Sequence, residues 1–105
     1  MIDEAVIQEA GKRLVDAVGS DARVILFGSH ARGDAGPGSD LDLLVIEPEV
    51  PSRRAEFVRL RKKLRGLGIP IDLIVVDSSH VEKWGGLQGT MVHEALREGR
   101  VLAGA

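Results

Sequence analysis

Two short apolar runs, Asp40-Leu41-Asp42-Leu43-Leu44-Val45-Ile46 and Pro70-Ile71-Asp72-Leu73-Ile74-Val75-Val76, carry aspartate inside segments otherwise fit only for burial. Both read as buried strands, Leu41 to Ile46 stopped by Pro48 and the second spanning Ile69 to Val76. Between them, Ser52 is placed to cap a helix whose Phe57, Leu60, Leu64 and Leu67 keep a three-four-three spacing, and Gly66 and Gly68 supply its stop. Strand, helix, strand in this order is a βαβ unit, so the two runs are expected to be parallel neighbours with a right-handed crossover.

The remaining segments fit around that unit. Ile2, Val6, Ala10, Leu14 and Val18 recur every four positions, with Asp3 and Glu4 in the first turn, which predicts an amphipathic helix over Ile2 to Val18. Arg23 to Phe27 reads as a strand, antiparallel to the other two. Ser79-His80-Val81-Glu82 has capping-box spacing for a short helix. Thr90 to Glu98 reads as a last helix ended by Gly99, its Val92, Ala95 and Leu96 closing the sheet, and Arg100-Val101-Leu102 adds an edge strand. The expected class is α/β: one domain over residues 1–105, with a mixed sheet of three to four strands and packed helices. Gly28 to Ser39, with four glycines and Pro37, is too rich in both for a regular element and suits backbone shaped around a ligand.

Composition removes several functions. With 14 basic and 16 acidic side chains the net charge is −2, so no bulk field draws the chain to nucleic acid or to an anionic membrane. Aromatics make up 3%, too few for a base-stacking surface, and nucleic acid is not expected as a direct partner. The absence of cysteine excludes disulfide scaffolds, thiolate zinc sites and cysteine nucleophiles. Met1-Ile-Asp-Glu-Ala-Val has acid where a signal peptide carries base, and no apolar run approaches a membrane span, so the expectation is a soluble cytoplasmic protein without a membrane partner.

The chemistry concentrates on the aspartates. Asp40 and Asp42, two apart on a strand, share a face, and Leu41 and Leu43 point the other way into the core. An ionised aspartate in an apolar strand is costly unless it is paired or holds a cation, and no basic residue lies between Asp34 and Arg53. Asp72 comes within cross-strand reach of Asp42 if the registers agree, and three carboxylates then converge. Oxygen ligands without histidine or cysteine select Mg²⁺ or Mn²⁺, and a pair of such ions is the usual device for displacement at phosphate. Taken alone, Asp40 and Asp42 also fit surface aspartates at a strand mouth. Gly28-Ser29, directly after the first strand, adds small residues that let backbone N–H groups and a hydroxyl approach phosphate oxygens. A P-loop is excluded because Asp34-Ala35 stands where Lys-Ser/Thr is required, and an EF-hand because its sixth loop position is Val45.

Gly28-Ser29, a ten-residue spacer, Asp40-Leu41-Asp42 and Asp72 on a later strand together resemble the DNA polymerase β-like nucleotidyltransferase superfamily. Gly28-Ser29-His30-Ala31-Arg32-Gly33 resembles its minimal nucleotidyltransferase branch. The detailed likeness covers Val24 to Asp77, and the αβαβαβ order of that fold extends it over most of the chain. The resemblance implies that Asp40 and Asp42 ligate the metals, Asp72 completes the catalytic metal site and helps deprotonate an acceptor hydroxyl, and Ser29 with the Gly28 backbone holds the triphosphate of ATP or another NTP. It implies attack of a hydroxyl on the α-phosphate with release of pyrophosphate. Larger members carry an extra acceptor-binding or covering domain for which this chain has no room, which implies an acceptor supplied in trans. In the minimal branch the usual partner is a helical HEPN toxin, neutralised by adenylylation of a tyrosine or by binding alone. Retention of the three acids favours catalysis over a non-catalytic binding module, and modification of a small molecule such as an aminoglycoside ranks last.

Other residues have two readings. Arg32 is either a triphosphate or acceptor contact or a plain loop arginine. Arg53, Arg54, Arg59, Arg61, Lys62, Lys63 and Arg65, against the single acid Glu56, make a solvated basic face or a docking face for an acidic partner or RNA. His30, His80 and His93 are scattered and read as surface or packing residues, and Trp84 reads as core. The apolar face of the last helix can also support a homo-oligomer.

Overall fold

In the computed structural model, which describes residues 4–36 and 38–103, the chain runs α1 (Glu4–Val18), β1 (Arg23–Phe27), α2 (Ser29–Arg32), β2 (Leu41–Glu47), α3 (Arg53–Lys63), β3 (Ile71–Asp77), α4 (Ser78–Trp84), α5 (Met91–Glu98) and β4 (Arg100–Ala103). The strands form one mixed sheet in the order β3-β2-β1-β4. β2 and β3 are parallel across the α3 crossover, and β1 is antiparallel to both β2 and β4. The expected α/β architecture, βαβ unit and edge strand are all present. Among the described residues no helix is long and apolar enough to cross a membrane.

A parallel pair needs cover on both faces, and the sheet has it. On one face Leu41, Leu43 and Val45 of the central strand β2 pack with Val24, Leu26, Leu73 and Val75 beneath α1 and α3. On the other, Ile25, Phe27, Leu44, Ile46 and Val76 pack beneath Val92 and Ala95 of α5, with Val81 of α4 alongside. Alternation puts Asp42 in the second row, ahead of Leu44 and Ile46. Those two are buried and Asp42 is only half-buried, so the helical cover stops short of the carboxylate.

Several local expectations are corrected. The buried stripe of α1 is Ile7, Ala10, Gly11 and Leu14, and Val6 and Val18 are only half-buried. A strict four-residue spacing drifts by about 40° per step, so a buried face must mix threes and fours. Ile2 and Asp3 lie outside the described residues, as does Pro37. Gly28 to Ser39 is not wholly irregular, because it opens with the single helical turn α2, ended by Gly33 in the left-handed conformation (φ 83°). Ser52 caps α3 as expected, its Oγ accepting from Ala55 N at 3.2 Å, but Phe57 is 38% exposed. Its flank of the helix overhangs the sheet edge at β3, beyond which there is no further strand among the described residues. The cap of α4 is Asp77, which accepts from His80 N at 2.9 Å, and Ser79 instead donates its hydroxyl to that carboxylate. Trp84 is a half-buried rim residue with Lys83 Nζ 5.1 Å from its ring centroid, and it does not belong to the core.

Glu47 closes β2 at the end remote from Asp42. It is 9% exposed, and among the described residues its Oε2 has no hydrogen-bond partner. Burial, then the adjacent Glu56 carboxyl, push Glu47 up to about 7. Glu56 is pulled down to about 2, first by Arg59, which donates to both its oxygens at 2.7 Å, and then by Glu47. Arg59 also donates to the Ala17 carbonyl at 3.1 Å, so the group ties β2 through α3 to α1. The stability from Glu47 is complete below its ordinary 4.5 and is lost as pH rises through about 7, whereas that from Glu56 is present above 4.5 and lost as pH falls towards 2. Glu47→Gln keeps a donor for Glu56 and removes the ionisation. It is expected to stabilise the protein by about 1–3 kcal/mol near pH 8 and by much less near pH 5. Thermal melts at the two pH values check this, and an equal shift at both would show that Glu47 ionises freely in the folded state.

Candidate active site

The site is built where β1 ends. Gly28 has φ 75° and ψ −155°, a region closed to other residues, and a Cβ built on it would overlap Asp42 Oδ2. The glycine therefore makes a sharp exit from the strand and also leaves the space that the carboxylate fills. Ser29 opens the one-turn helix α2 immediately beyond, where Ala31 N and Arg32 N both donate to the Gly28 carbonyl at 3.1 Å, and among the described residues the N–H groups of Ser29 and His30 have no partner. A small hydroxyl, free backbone donors and a carboxylate thus meet at one corner.

Opposite that corner, the antiparallel register pairs Phe27 with Asp42 and the parallel register pairs Asp42 with Asp72. The registers agree, which is the condition under which the sequence brings Asp72 within cross-strand reach of Asp42. Burial first, then the charges of Asp72 and Asp40, raise the Asp42 carboxyl above its ordinary value, and His30 and Arg32 offset part of this. Asp40 and Asp72 are exposed. Among the described residues no three His, Cys, Asp or Glu side chains are gathered closely enough to hold a metal ion. Three like charges only partly offset by His30 and Arg32 repel, and Mg²⁺ is ordinarily held by one or two carboxylates together with substrate phosphates. An all-oxygen donor set whose central member is disfavoured as an anion by its neighbours suits such a cation.

Gly28, Ser29, Arg32 and Asp42 line one cleft of about 550 Å³, and its other wall is Thr90, Met91, Glu94 and Glu98 from the start and face of α5. Asp40 and Asp72 do not line it and stand at its acidic margin. Arg32 is exposed and donates to Asp34 Oδ2 and to Glu98 Oε2, each at 3.2 Å, which bridges α2 to α5 across the cleft. His30, read from sequence as a surface or packing residue, is half-buried and hydrogen-bonds through Nε2 to the Ser39 carbonyl at 3.3 Å. It braces the loop that delivers Asp40, and a Gly36 N to Ser39 Oγ bond of 3.0 Å tightens the same loop. The α5 wall was not anticipated. The available signal was Gly99, where a Cβ would overlap Ala95 O and Ile25 Cγ2, so that only glycine lets α5 lie this close to β1.

Residues 7–100 match the family model described as nucleotidyltransferase domain, and the chain belongs to that family. Over 54 residues it is 41% identical to the protein adenylyltransferase MntA of Thermococcus cleftensis, a match covering 50% of this chain and 54% of that protein. The chain thus spans about half the length of that relative. A solved structure designated a minimal nucleotidyltransferase is 29% identical with a TM-score of 0.64, covering 94% of this chain and 95% of that one. A chain from the complex of tri-AMPylated Shewanella oneidensis HEPN toxin with MNT antitoxin has a TM-score of 0.57 at 18% identity, covering 95% of this chain and 73% of that one, a likeness of fold.

Gly28→Ala tests the corner directly. Backbone strain and the overlap with Asp42 are expected to destabilise the fold by about 2–4 kcal/mol. The same change at Gly36, where a Cβ would meet nothing within 4 Å and the backbone is not left-handed, is expected to be within about 0.5 kcal/mol of wild type. Urea titrations of the two variants give the comparison, and equal midpoints would show that Gly28 carries no special constraint.

Proposed function

We propose that this chain is a Mg²⁺-dependent nucleotidyltransferase, one minimal module that moves AMP from ATP to a hydroxyl of a HEPN-type toxin and so serves as its antitoxin. The observation that carries the reading is Asp42, seated against the Cα of Gly28 with Asp72 beside it in register and the Ser29 turn opening onto the same cleft. Family membership supports the transferase class. The adenylyltransferase relative and the AMPylated toxin complex support ATP, a protein acceptor and a HEPN partner. A cytoplasmic setting, where ATP and Mg²⁺ are at hand, goes with this reading.

Asp40 and Asp42 would hold the cation, with Asp72 completing the site. When bound, it would neutralise charge on the leaving pyrophosphate and ease deprotonation of the acceptor. The N–H groups of Ser29 and His30, with the Ser29 hydroxyl, bind the triphosphate and fix its path for in-line attack. The acceptor oxygen attacks the α-phosphorus, the bond to the bridging oxygen of pyrophosphate breaks, and the exposed Asp72 carboxylate takes the acceptor proton. Arg32, now held by Asp34 and Glu98, exchanges those carboxylates for phosphate oxygens, to which a guanidinium binds bidentately.

Transfer of label from α-phosphate-labelled ATP to a purified HEPN protein tests the reaction. Asp42→Asn is expected to lower the rate by about 10²- to 10³-fold or more with the fold intact by circular dichroism. Retained transfer would sink the assignment, and neutralisation that survives without any transfer would assign steric capture instead. For Arg32, the expected pattern is opposed effects on the KM for ATP. Arg32→Ala raises it by about tenfold, and Glu98→Gln, which releases the arginine, lowers it severalfold. Effects of the same sign would remove Arg32 from the phosphate site.

A further inference from the structure

The outward flank of α3 is not used by the transfer chemistry. Positions 54, 57, 58, 61, 62 and 65 recur at the spacing that ordinarily marks a core-facing stripe, yet they read Arg-Phe-Val-Arg-Lys-Arg and all are exposed. The opposite flank is engaged with α1, since Arg59 donates to Ala17 O and Arg13 donates to the carbonyls of Lys63 and Arg65. Of the nine cations that pair with no carboxylate among the described residues, four gather on this stripe. Among the described residues Arg13, Arg32, Arg59, Arg97 and Arg100 each pair with a carboxylate, and Arg54, Arg61, Lys62 and Arg65 pair with none. Phe57 and Val58, 38% and 45% exposed, sit among them.

The stripe borders a groove of about 640 Å³ whose other wall includes Ile69 and Pro70. The Pro70 carbonyl accepts from the N–H of Leu41 at 3.0 Å, between Asp40 and Asp42, and Asp72 follows two residues later. The groove therefore reaches the strand ends that carry Asp40 and Asp72 from the α3 side of the sheet, whereas Asp42 and Asp72 fall in the row on the other side, so a segment lying in it meets Asp72 by passing around the start of β3. From Phe57 a second depression continues along the open edge strand β3 past Leu73 and Val75.

We infer that this stripe and groove seat an acidic segment of the acceptor protein that also carries apolar side chains, and so lead its hydroxyl to Asp72. The inference rests on the reading of the site as a protein nucleotidyltransferase. Unpaired cations around an apolar pair complement a carboxylate rim around a Leu or Ile anchor, the usual anatomy of a protein interface. Single-stranded RNA asks instead for several stacking platforms, and the stripe holds one aromatic ring. With the molecule at net −2 no bulk field attracts an acidic partner, and the attraction comes from a local cluster such as this stripe.

The test uses a fluorescent poly(Glu,Tyr) copolymer, acidic and hydroxyl-bearing, and a fluorescent RNA oligonucleotide, each titrated against the whole chain. For the triple variant Phe57→Ser, Arg61→Glu, Arg65→Glu, the copolymer Kd is expected to rise by about tenfold or more. The control Lys12→Glu, Arg23→Glu, with its cations off the stripe, is expected to stay within about twofold of wild type. With the copolymer as acceptor for labelled ATP, the triple variant should raise its KM by about tenfold and leave kcat within about threefold. An unchanged Kd and KM in the triple variant, or equal weakening by the control, would overturn the docking face. RNA binding that depends on the stripe while copolymer binding does not would overturn it in favour of a nucleic-acid surface. Asp42→Asn should abolish transfer and leave the copolymer Kd unchanged, so loss of the transferase reading and loss of the docking face are read separately.

Discussion

Asp42 stands where an apolar strand row runs out of helix to cover it. Behind it, Leu44 and Ile46 are roofed by α5, and ahead of it the chain turns into a glycine-rich loop. The carboxylate keeps this place because Gly28 has no side chain, so the contact between an aspartate oxygen and a glycine Cα fixes how closely β1 and β2 can end. The exit angle of the chain into α2, the position of Ser29 and the mouth of the cleft all follow from that contact. A larger residue at position 28 would have to displace the strand end or the acid.

The two ends of β2 handle buried acidity in opposite ways. Glu47, at the closed end, has a second carboxyl and an arginine for company, and burial first, then Glu56, hold it up towards the protonated form while Arg59 keeps Glu56 ionised. Asp42, at the open end, faces two more carboxylates, and the positive groups near it, His30 and Arg32, only partly offset them. An arrangement of the first kind is self-sufficient and holds helices together. The second is left incomplete by the protein alone and is therefore suited to receive something positively charged from outside.

Much of this was legible in the amino-acid order. The βαβ unit could be read because apolar runs of strand length flank a capped helical pattern. Strand periodicity predicts one face for Asp40 and Asp42, but Asp40 precedes β2 and is exposed, and the pairing of Asp42 with Asp72 depended on a register that the sequence left open. The parts that could not be read depend on long-range cover. Phe57 fits a core spacing, but its flank of α3 overhangs the last strand of the sheet. Asp77 takes the cap from Ser79 because β3 extends one residue further than its apolar content, and a carboxylate is a better acceptor than a hydroxyl there. Glu47 lies one residue beyond the strand read from sequence, and only the fold shows it as a buried acid beside Glu56 of α3. The α5 wall lies some fifty residues from Asp42 in sequence, and no local pattern ties the two.

Gly99 is the whole connection between α5 and β4, so the cleft wall and an edge strand form one lever. The strand pairs with β1 on one side only and its register slips between Val24 and Ile25, features that make it the easiest strand to fray. Release of β4 would carry Glu98 and its hold on Arg32 away with it. The sheet edge is thus one residue away from the Arg32–Glu98 bridge that spans the cleft, while α5 itself stays seated on the sheet through Val92 and Ala95.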